Sequence, residues 1–158
     1  MHSKPDVIAP YPSTHVYYQL GVLDRMTTAL AAVPAVCFTG AFLTDLTYAS
    51  APDMQWTNFS AWLLAFGMLF ACLAALSGII AYFSGPRPAL NVNSWLFVAA
   101  IALTLTTAFF NNLVHSRDAW TSVVPSGLML SALTVILMIA AAFFHYRNVS
   151  LAYRENVS

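Results

Sequence analysis

Four long uncharged or nearly uncharged stretches alternate with short polar ones along the sequence. They predict membrane spans at about residues 26–48, 59–84, 90–115 and 122–147, with Asp45 as the only acidic residue inside them. Each stretch reaches the roughly 20 residues that an α-helix needs to cross a bilayer. An alternating β-barrel pattern is absent from the sequence, and helices satisfy every backbone polar group within lipid. We therefore predict an all-α integral membrane protein.

The polar connections between the stretches are short, as in the segment GPRP at residues 85–88. Short connections make neighbouring spans antiparallel, which predicts a four-helix bundle of up-down-up-down topology. The sequence then divides into three parts: a cytoplasmic or interfacial segment at 1–25, a four-helix domain at 26–147 and a tail at 148–158.

Basic residues predict the orientation of the bundle. In this topology one side of the membrane receives most of them, namely Lys4, Arg25, Arg87, Arg147 and Arg154. The opposite side receives only Arg117. Lys and Arg accumulate in cytoplasmic loops, so both termini are predicted to be cytoplasmic.

Composition narrows the classes of function. The chain is 59% hydrophobic and only 8% charged, which lies outside the range of soluble globular proteins. Its net charge of zero argues against a nucleic-acid partner, which requires a basic patch. Cys37 and Cys72 both lie in apolar stretches and are predicted to be small buried side chains rather than a disulfide. The lipid bilayer is the one partner that composition predicts directly.

Polar residues recur at one depth of the predicted bundle. Asp45 lies near the end of the first span, and a stripe that ends at His115 runs along the third span to the same side. Matching depths predict a hydrogen-bonded cluster with these members: Asp45, Tyr48, Thr107, Asn111, Asn112 and His115. Such residues either hold helices in register or handle a proton or ligand, and a carboxylate can tune a histidine in the second case. The sequence leaves both alternatives open.

Small residues form a second stripe, on one face of the second span. This predicted seam consists of Gly67, Ala71, Ala74 and Gly78. Small side chains let another helix approach closely. The seam is predicted to pack within the chain, with an oligomer contact as the alternative.

Cofactor sites and catalytic motifs are not predicted. One His and one Asp leave a metal ligand set incomplete. Haem b in a four-helix bundle is held between histidines, but His115 and His145 are expected near opposite faces, and His2 and His15 outside the bilayer core. No phosphate-binding loop, nucleophile motif or carboxylate pair occurs on a soluble domain, so we do not predict an enzyme.

Several segments of the chain are similar to a known family: PAVCFTGAFLTDLTY (34–48), WTNFSAWLLAFGML (56–69), AALSGIIAYF (74–83) and PSGLMLSALTVIL (125–137). They resemble the bacterial domain of unknown function 2231 family. The resemblance implies a four-span protein of the bacterial inner membrane without an assigned activity. It also implies that Asp45 is retained for a family role, because the Thr44-Asp45-Leu46 pattern is present.

The chain departs from this family at two places where members carry histidines. A His-Pro type motif before the first span is replaced by DRMTT at 24–28, and a histidine early in the third span by NVNSW at 91–95. Any cofactor role tied to those histidines is therefore not expected here.

These observations lead to one principal hypothesis of function. Little soluble mass, no catalytic motif and long apolar spans favour an accessory or structural subunit of a larger membrane complex, with other membrane subunits or a second copy as partners. One alternative is a membrane anchor for an electron-transfer dehydrogenase. Another is a small transporter or channel component that uses Asp45.

Overall fold

Four long helices make up nearly all of the described chain. A computed structural model describes residues 22–84, 91–117 and 123–155. Its helices are α1 (Val22–Ser50), α2 (Met54–Ser84), α3 (Val92–His115) and α4 (Leu128–Glu155). These ranges contain no β-strand, so the all-α prediction is confirmed. By length and composition all four helices can cross a membrane. Predictions for residues 1–21, which include His2 and His15, lie outside the described residues.

The helix ends explain why the helices differ in extent from the predicted spans. α2 begins at Met54, before residue 59. In its first turn the backbone N–H of Gln55 donates a hydrogen bond to the Asp53 carboxylate. α3 begins with a reciprocal capping box between Asn91 and Ser94. Regular helix in α4 begins only at Leu128, after a wide turn at Val123–Gly127 that includes a cis Val124–Pro125 bond.

The helices are arranged as two hairpins. The first hairpin consists of α1 and α2 and the second of α3 and α4, and the two members of each hairpin share far more contact than the hairpins share with each other. Within the first hairpin, Thr27 near the start of α1 is bonded to Ser77 near the end of α2. Thr44, near the other end of α1, is bonded to Ser60. Between the hairpins, α1 meets α4 and α2 meets α3.

The predicted seam lies inside the first hairpin, where α2 packs against α1. Gly67, Ala71 and Ala74 are buried and Gly78 is half-buried. A Cβ atom on Gly67 would lie 2.6 Å from Cε1 of Phe38 and 3.0 Å from Cβ of Cys37. Gly67 therefore allows a close approach of the two helices, through contacts within the chain.

Apolar and polar side chains are distributed unlike those of a soluble protein. Large apolar residues on all four helices point outward, including Val36, Trp62, Trp95 and Met129. Cys37 and Cys72 are both free, with Cys37 half-buried and Cys72 on the outward surface that faces lipid in such a bundle. The interior contains many polar residues: Asp45, Thr57, Ser60, Ser77, Thr104, Thr107, Asn111, His115, Ser131 and Thr134. This pattern suits a bundle that is surrounded by lipid and whose polar side chains lie in its interior.

Candidate functional site

Side chains from all four helices meet around Asp45. We call this group the Asp45 cluster: Asp45 of α1, Ser60 of α2, Asn111 and His115 of α3, and Ser131 of α4. The side chains of Asp45 and His115 are completely buried. Helical periodicity brings Asn111 and His115 onto one face of α3, because residues four apart are neighbours on a helix.

Both oxygens of the Asp45 carboxyl group have partners. Oδ1 accepts a hydrogen bond from the Ser60 hydroxyl at 2.5 Å and lies 3.0 Å from Nε2 of His115. Oδ2 accepts one from the Ser131 hydroxyl, also at 2.5 Å. Three other helices thus contribute to one carboxyl group, which offsets the cost of burying it.

An outer layer of hydrogen bonds orients these partners. The Asn111 amide Nδ2 donates to the Ser131 hydroxyl at 2.8 Å, and the Asn111 backbone carbonyl lies 3.0 Å from Nδ1 of His115. The Thr44 hydroxyl lies 2.7 Å from the Ser60 hydroxyl and 2.9 Å from the Ala41 carbonyl oxygen. Because Ser60 gives its single hydrogen to Asp45, Thr44 donates to Ser60. Asn111 therefore contacts two of the three groups that touch Asp45.

The cluster contains Ser, His and Asp, but not in the order of a nucleophilic relay. In such a relay the hydroxyl is bonded to the imidazole, which removes its proton. Here the Ser60 and Ser131 hydroxyls both donate to the carboxyl group, and within the described ranges neither is bonded to His115. This arrangement suits hydrogen bonding and proton binding rather than attack by a serine.

The structure brings together three of the six residues predicted for this cluster: Asp45, Asn111 and His115. Thr107 is buried deeper in the bundle and donates to the Leu103 carbonyl of its own helix. Tyr48 is buried and Asn112 half-buried, but among the residues that the structure describes their side chains have no hydrogen bond to the cluster. Of the two asparagines that the sequence offered, Asn111 is the one in the cluster.

Ser60 and Ser131 were missed by the sequence reasoning. A signal for Ser60 was present, because it lies seven residues before Gly67 and continues the small-residue face of α2 toward the level of Asp45. A signal of the same kind was present for Ser131, because Gly127, Ser131 and Thr134 are spaced i, i+4 and i+7 in the sequence and are buried in the structure.

Metal and haem sites were not predicted from the sequence. In the described part of the chain, no group of three or more His, Cys, Asp or Glu side chains could hold a metal ion. His115 lies at the level of Ser131, whereas the ring of His145 packs 5.5 Å from that of Phe97. Fourteen residues of helix separate Ser131 from His145, which is about 21 Å. The expectation that the chain lacks haem b remains a prediction.

The two serines give a matched pair of variants. Ser131→Ala removes a donor to Asp45 and leaves the Asn111 amide without its acceptor, so we expect a loss of about 1–3 kcal/mol in the free energy of unfolding. Ser60→Ala removes one donor to Asp45, and the Thr44 hydroxyl can then donate to the Ala41 carbonyl instead, so we expect a loss of about 1 kcal/mol. Reversible unfolding in mixed micelles measures both. Equal losses, or a larger loss for Ser60→Ala, would contradict this order.

Comparison with known proteins identifies a family. The sequence model of the family described as "Predicted membrane protein (DUF2231)" matches residues 29–150. No curated protein and no solved structure matches the chain. The matched region holds every residue of the Asp45 cluster and most of each of the four helices. The chain therefore belongs to the DUF2231 family of predicted membrane proteins.

Proposed function

We propose that this protein is a non-catalytic, four-span protein of the bacterial inner membrane that serves as an accessory or structural subunit of a larger membrane complex. The observation that carries the proposal is the contrast between a closed interior and an apolar exterior. Both Asp45 oxygens are bonded to side chains of the chain itself, while large apolar residues cover the outward faces. Such faces can contact lipid and the helices of other membrane proteins.

An up-down-up-down bundle with cytoplasmic termini is part of the proposal. The hydrogen bonds Thr27–Ser77 and Thr44–Ser60 support antiparallel α1 and α2. The bond from Asp45 to Ser131 supports the same relation between α1 and α4, because it joins a late residue of one helix to an early residue of the other. Arg25 and Arg147 then lie on the side opposite Arg117, which favours cytoplasmic termini.

Purification of the tagged full-length protein from its native membranes in mild detergent tests this proposal. We expect other membrane proteins to be recovered in a defined stoichiometry, and their identity would name the complex. An unrelated inner-membrane protein with the same tag and expression level serves as the control. A membrane anchor of an electron-transfer dehydrogenase would be recognised by its co-purifying enzyme. Recovery of the protein alone, or only with copies of itself, would overturn the subunit role.

The hypothesis of a small transporter or channel component takes second place. A buried acid–imidazole pair such as Asp45–His115 favours it, because such pairs occur in proton relays of membrane proteins. Transport also requires the carboxyl group to be reached from both sides of the membrane. Side-chain donors occupy both Asp45 oxygens, which favours a role within the bundle.

A further inference from the structure

The protonation of His115 follows from its two contacts. Nδ1 lies 3.0 Å from the backbone carbonyl oxygen of Asn111, and a carbonyl oxygen has no proton to donate. Nδ1 must therefore carry a hydrogen for this buried contact to be attractive. In a neutral imidazole only one nitrogen carries hydrogen, so Nε2 would then present a lone pair to Asp45.

One further proton must lie between Asp45 and His115. Oδ1 of Asp45 and Nε2 of His115 are 3.0 Å apart, and two facing lone pairs would repel each other at that distance. The proton resides either on Nε2, which gives an imidazolium and a carboxylate, or on Oδ1, which gives two neutral groups. In both cases the net charge of the pair is zero. A neutral pair is the form that a low-dielectric interior favours.

Ser131 and Asn111 determine the hydrogen bond made by the second oxygen of the Asp45 carboxyl group. The Ser131 hydroxyl accepts from the Asn111 amide, so its own hydrogen is directed to Oδ2 of Asp45. Ser60 donates to Oδ1. The exchangeable proton of the cluster is therefore the one between Oδ1 and Nε2, because the other positions around the carboxyl group are held by hydroxyl donors.

This proton lies where the two hairpins are joined. Two side-chain hydrogen bonds between described residues connect the hairpins, and both end on the Asp45 carboxyl group. Contact between the hairpins is otherwise much sparser than contact within them. The state of one carboxyl group thus controls the polar connection between two well-packed units.

The pair lies near one end of the bundle. His115 is the last residue of α3, and the next residues, Ser116 and Arg117, are exposed. Asp45 lies five residues before the end of α1, or about 7 Å along the helix. The pair therefore lies within one to two helical turns of the ends of α1 and α3.

Few other titratable groups are near the pair. On α1 the nearest is Tyr48, and on α3 it is Arg117, which is exposed beyond the helix end. The faces of α2 and α4 at this level present hydroxyl and apolar side chains: Thr57, Ser60 and Leu64 from α2, and Ser131 and Thr134 from α4. Asp53, in the exposed connection between α1 and α2, is the other charged group at this end of the described chain.

We propose that Asp45 and His115 form a proton-binding site whose single bound proton holds α3 of the second hairpin against α1 of the first. Loss of this proton to water at the membrane surface leaves a carboxylate facing the lone pair of a neutral imidazole, with a net charge of −1 in the interior. The contact between α1 and α3 is then lost and this end of the bundle loosens. The inference is independent of the subunit role and holds for the isolated protein.

Spin-label distances in the full-length protein in lipid nanodiscs test the site. Labels are placed on Ala51→Cys and Ser116→Cys, both exposed positions at this end, after Cys37 and Cys72 are replaced by alanine. We expect the distance between the labels to lengthen or broaden by about 2 Å or more as the pH rises, which is the scale of helix shifts at interfaces. The measurement runs from about pH 5 to about pH 10, because removal of the proton leaves a net charge of −1 in the low-dielectric interior and is therefore opposed by burial.

Asp45→Asn is the matched control for this experiment. An asparagine amide can donate a fixed hydrogen to Nε2 of His115 and still accept from Ser131, so the connection remains while the exchangeable proton is removed. We expect its distance distribution to be the same at both pH values. His115→Gln removes the imidazole that shares the proton and leaves Asp45 as the only ionisable member of the pair, so we expect the pH at which the distance changes to shift, which keeps the test decisive if one variant does not fold. A wild-type protein that does not respond, or a variant that responds as the wild type does, would overturn the proposal.

Discussion

Asp45→Ala is expected to lower the free energy of unfolding by about 3–5 kcal/mol, because one partner of a buried pair is removed and the other stays buried. The substitution leaves His115, Ser60 and Ser131 without their common acceptor. Interhelical hydrogen bonds in membranes average about 0.6 kcal/mol and reach about 1.7 kcal/mol, so the three bonds contribute about 2–5 kcal/mol. The buried imidazole left without its partner accounts for the rest. Reversible unfolding by a denaturing detergent in mixed micelles measures it.

Two control variants show how much of this destabilisation comes from losing the hydrogen bonds of the Asp45 cluster rather than from the substitution itself. Thr39 is an exposed residue of α1 whose hydroxyl is bonded to the Ala35 carbonyl of its own helix, and Thr39→Ala is expected to change stability by less than about 0.5 kcal/mol. Asp45→Asn keeps most of the hydrogen bonds and is expected to cost about 1 kcal/mol. If Asp45→Ala were no more destabilising than Thr39→Ala, the cluster would not hold the bundle together.

Gly67→Ala should destabilise the protein by about 1–3 kcal/mol through overpacking. The added methyl group would lie 2.6 Å from Cε1 of Phe38 and 3.0 Å from Cβ of Cys37, and the Phe38 ring is itself buried in the core. The same unfolding measurement applies. A smaller side chain at position 38 should restore part of the loss, so the double variant Gly67→Ala/Phe38→Leu is expected to be less destabilised than the sum of the single variants.

Gly78→Ala is the matched control on the same face of α2. Its new methyl group would meet Cγ2 of Thr27 at 3.6 Å, an ordinary van der Waals contact. Alanine is favoured over glycine within a helix by about 1 kcal/mol, so this variant should be neutral or slightly stabilised. Equal effects of the two substitutions would show that close packing at Gly67 does not limit the approach of α1 and α2.

The fold could be predicted from the sequence because a lipid environment restricts the backbone conformations that are stable. A backbone within a bilayer must satisfy its own hydrogen bonds, so four long apolar stretches imply four helices. The residues at which the helices begin and end were harder to predict. α2 extends through the polar residues Gln55, Thr57 and Asn58, which an apolar-run criterion excludes although a helix tolerates them. At the other end of the chain, α4 continues to Glu155, well beyond its apolar part.

The centre of the site could also be predicted from the sequence. Carboxylates and histidines are rare inside membranes, and their matching depth alone brings Asp45 and His115 together. The two serines of the Asp45 cluster were not predicted. Serine is small enough to occur on any helix face in a membrane, so Ser131 could not be distinguished from a packing residue. The choice of Asn111 over Asn112 required the helix phase, since only Asn111 lies four residues before His115.

The spacing of the Asp45 partners along the chain has a consequence for biosynthesis. Ser60 follows Asp45 after 15 residues, whereas His115 and Ser131 follow after 70 and 86. At the usual rates of translation, about 4 to 17 seconds pass between Asp45 and its last partner. During this interval the nascent first hairpin carries a carboxyl group with one of its three partners. Synthesis of the second hairpin is therefore the step that supplies the remaining two partners of this carboxyl group.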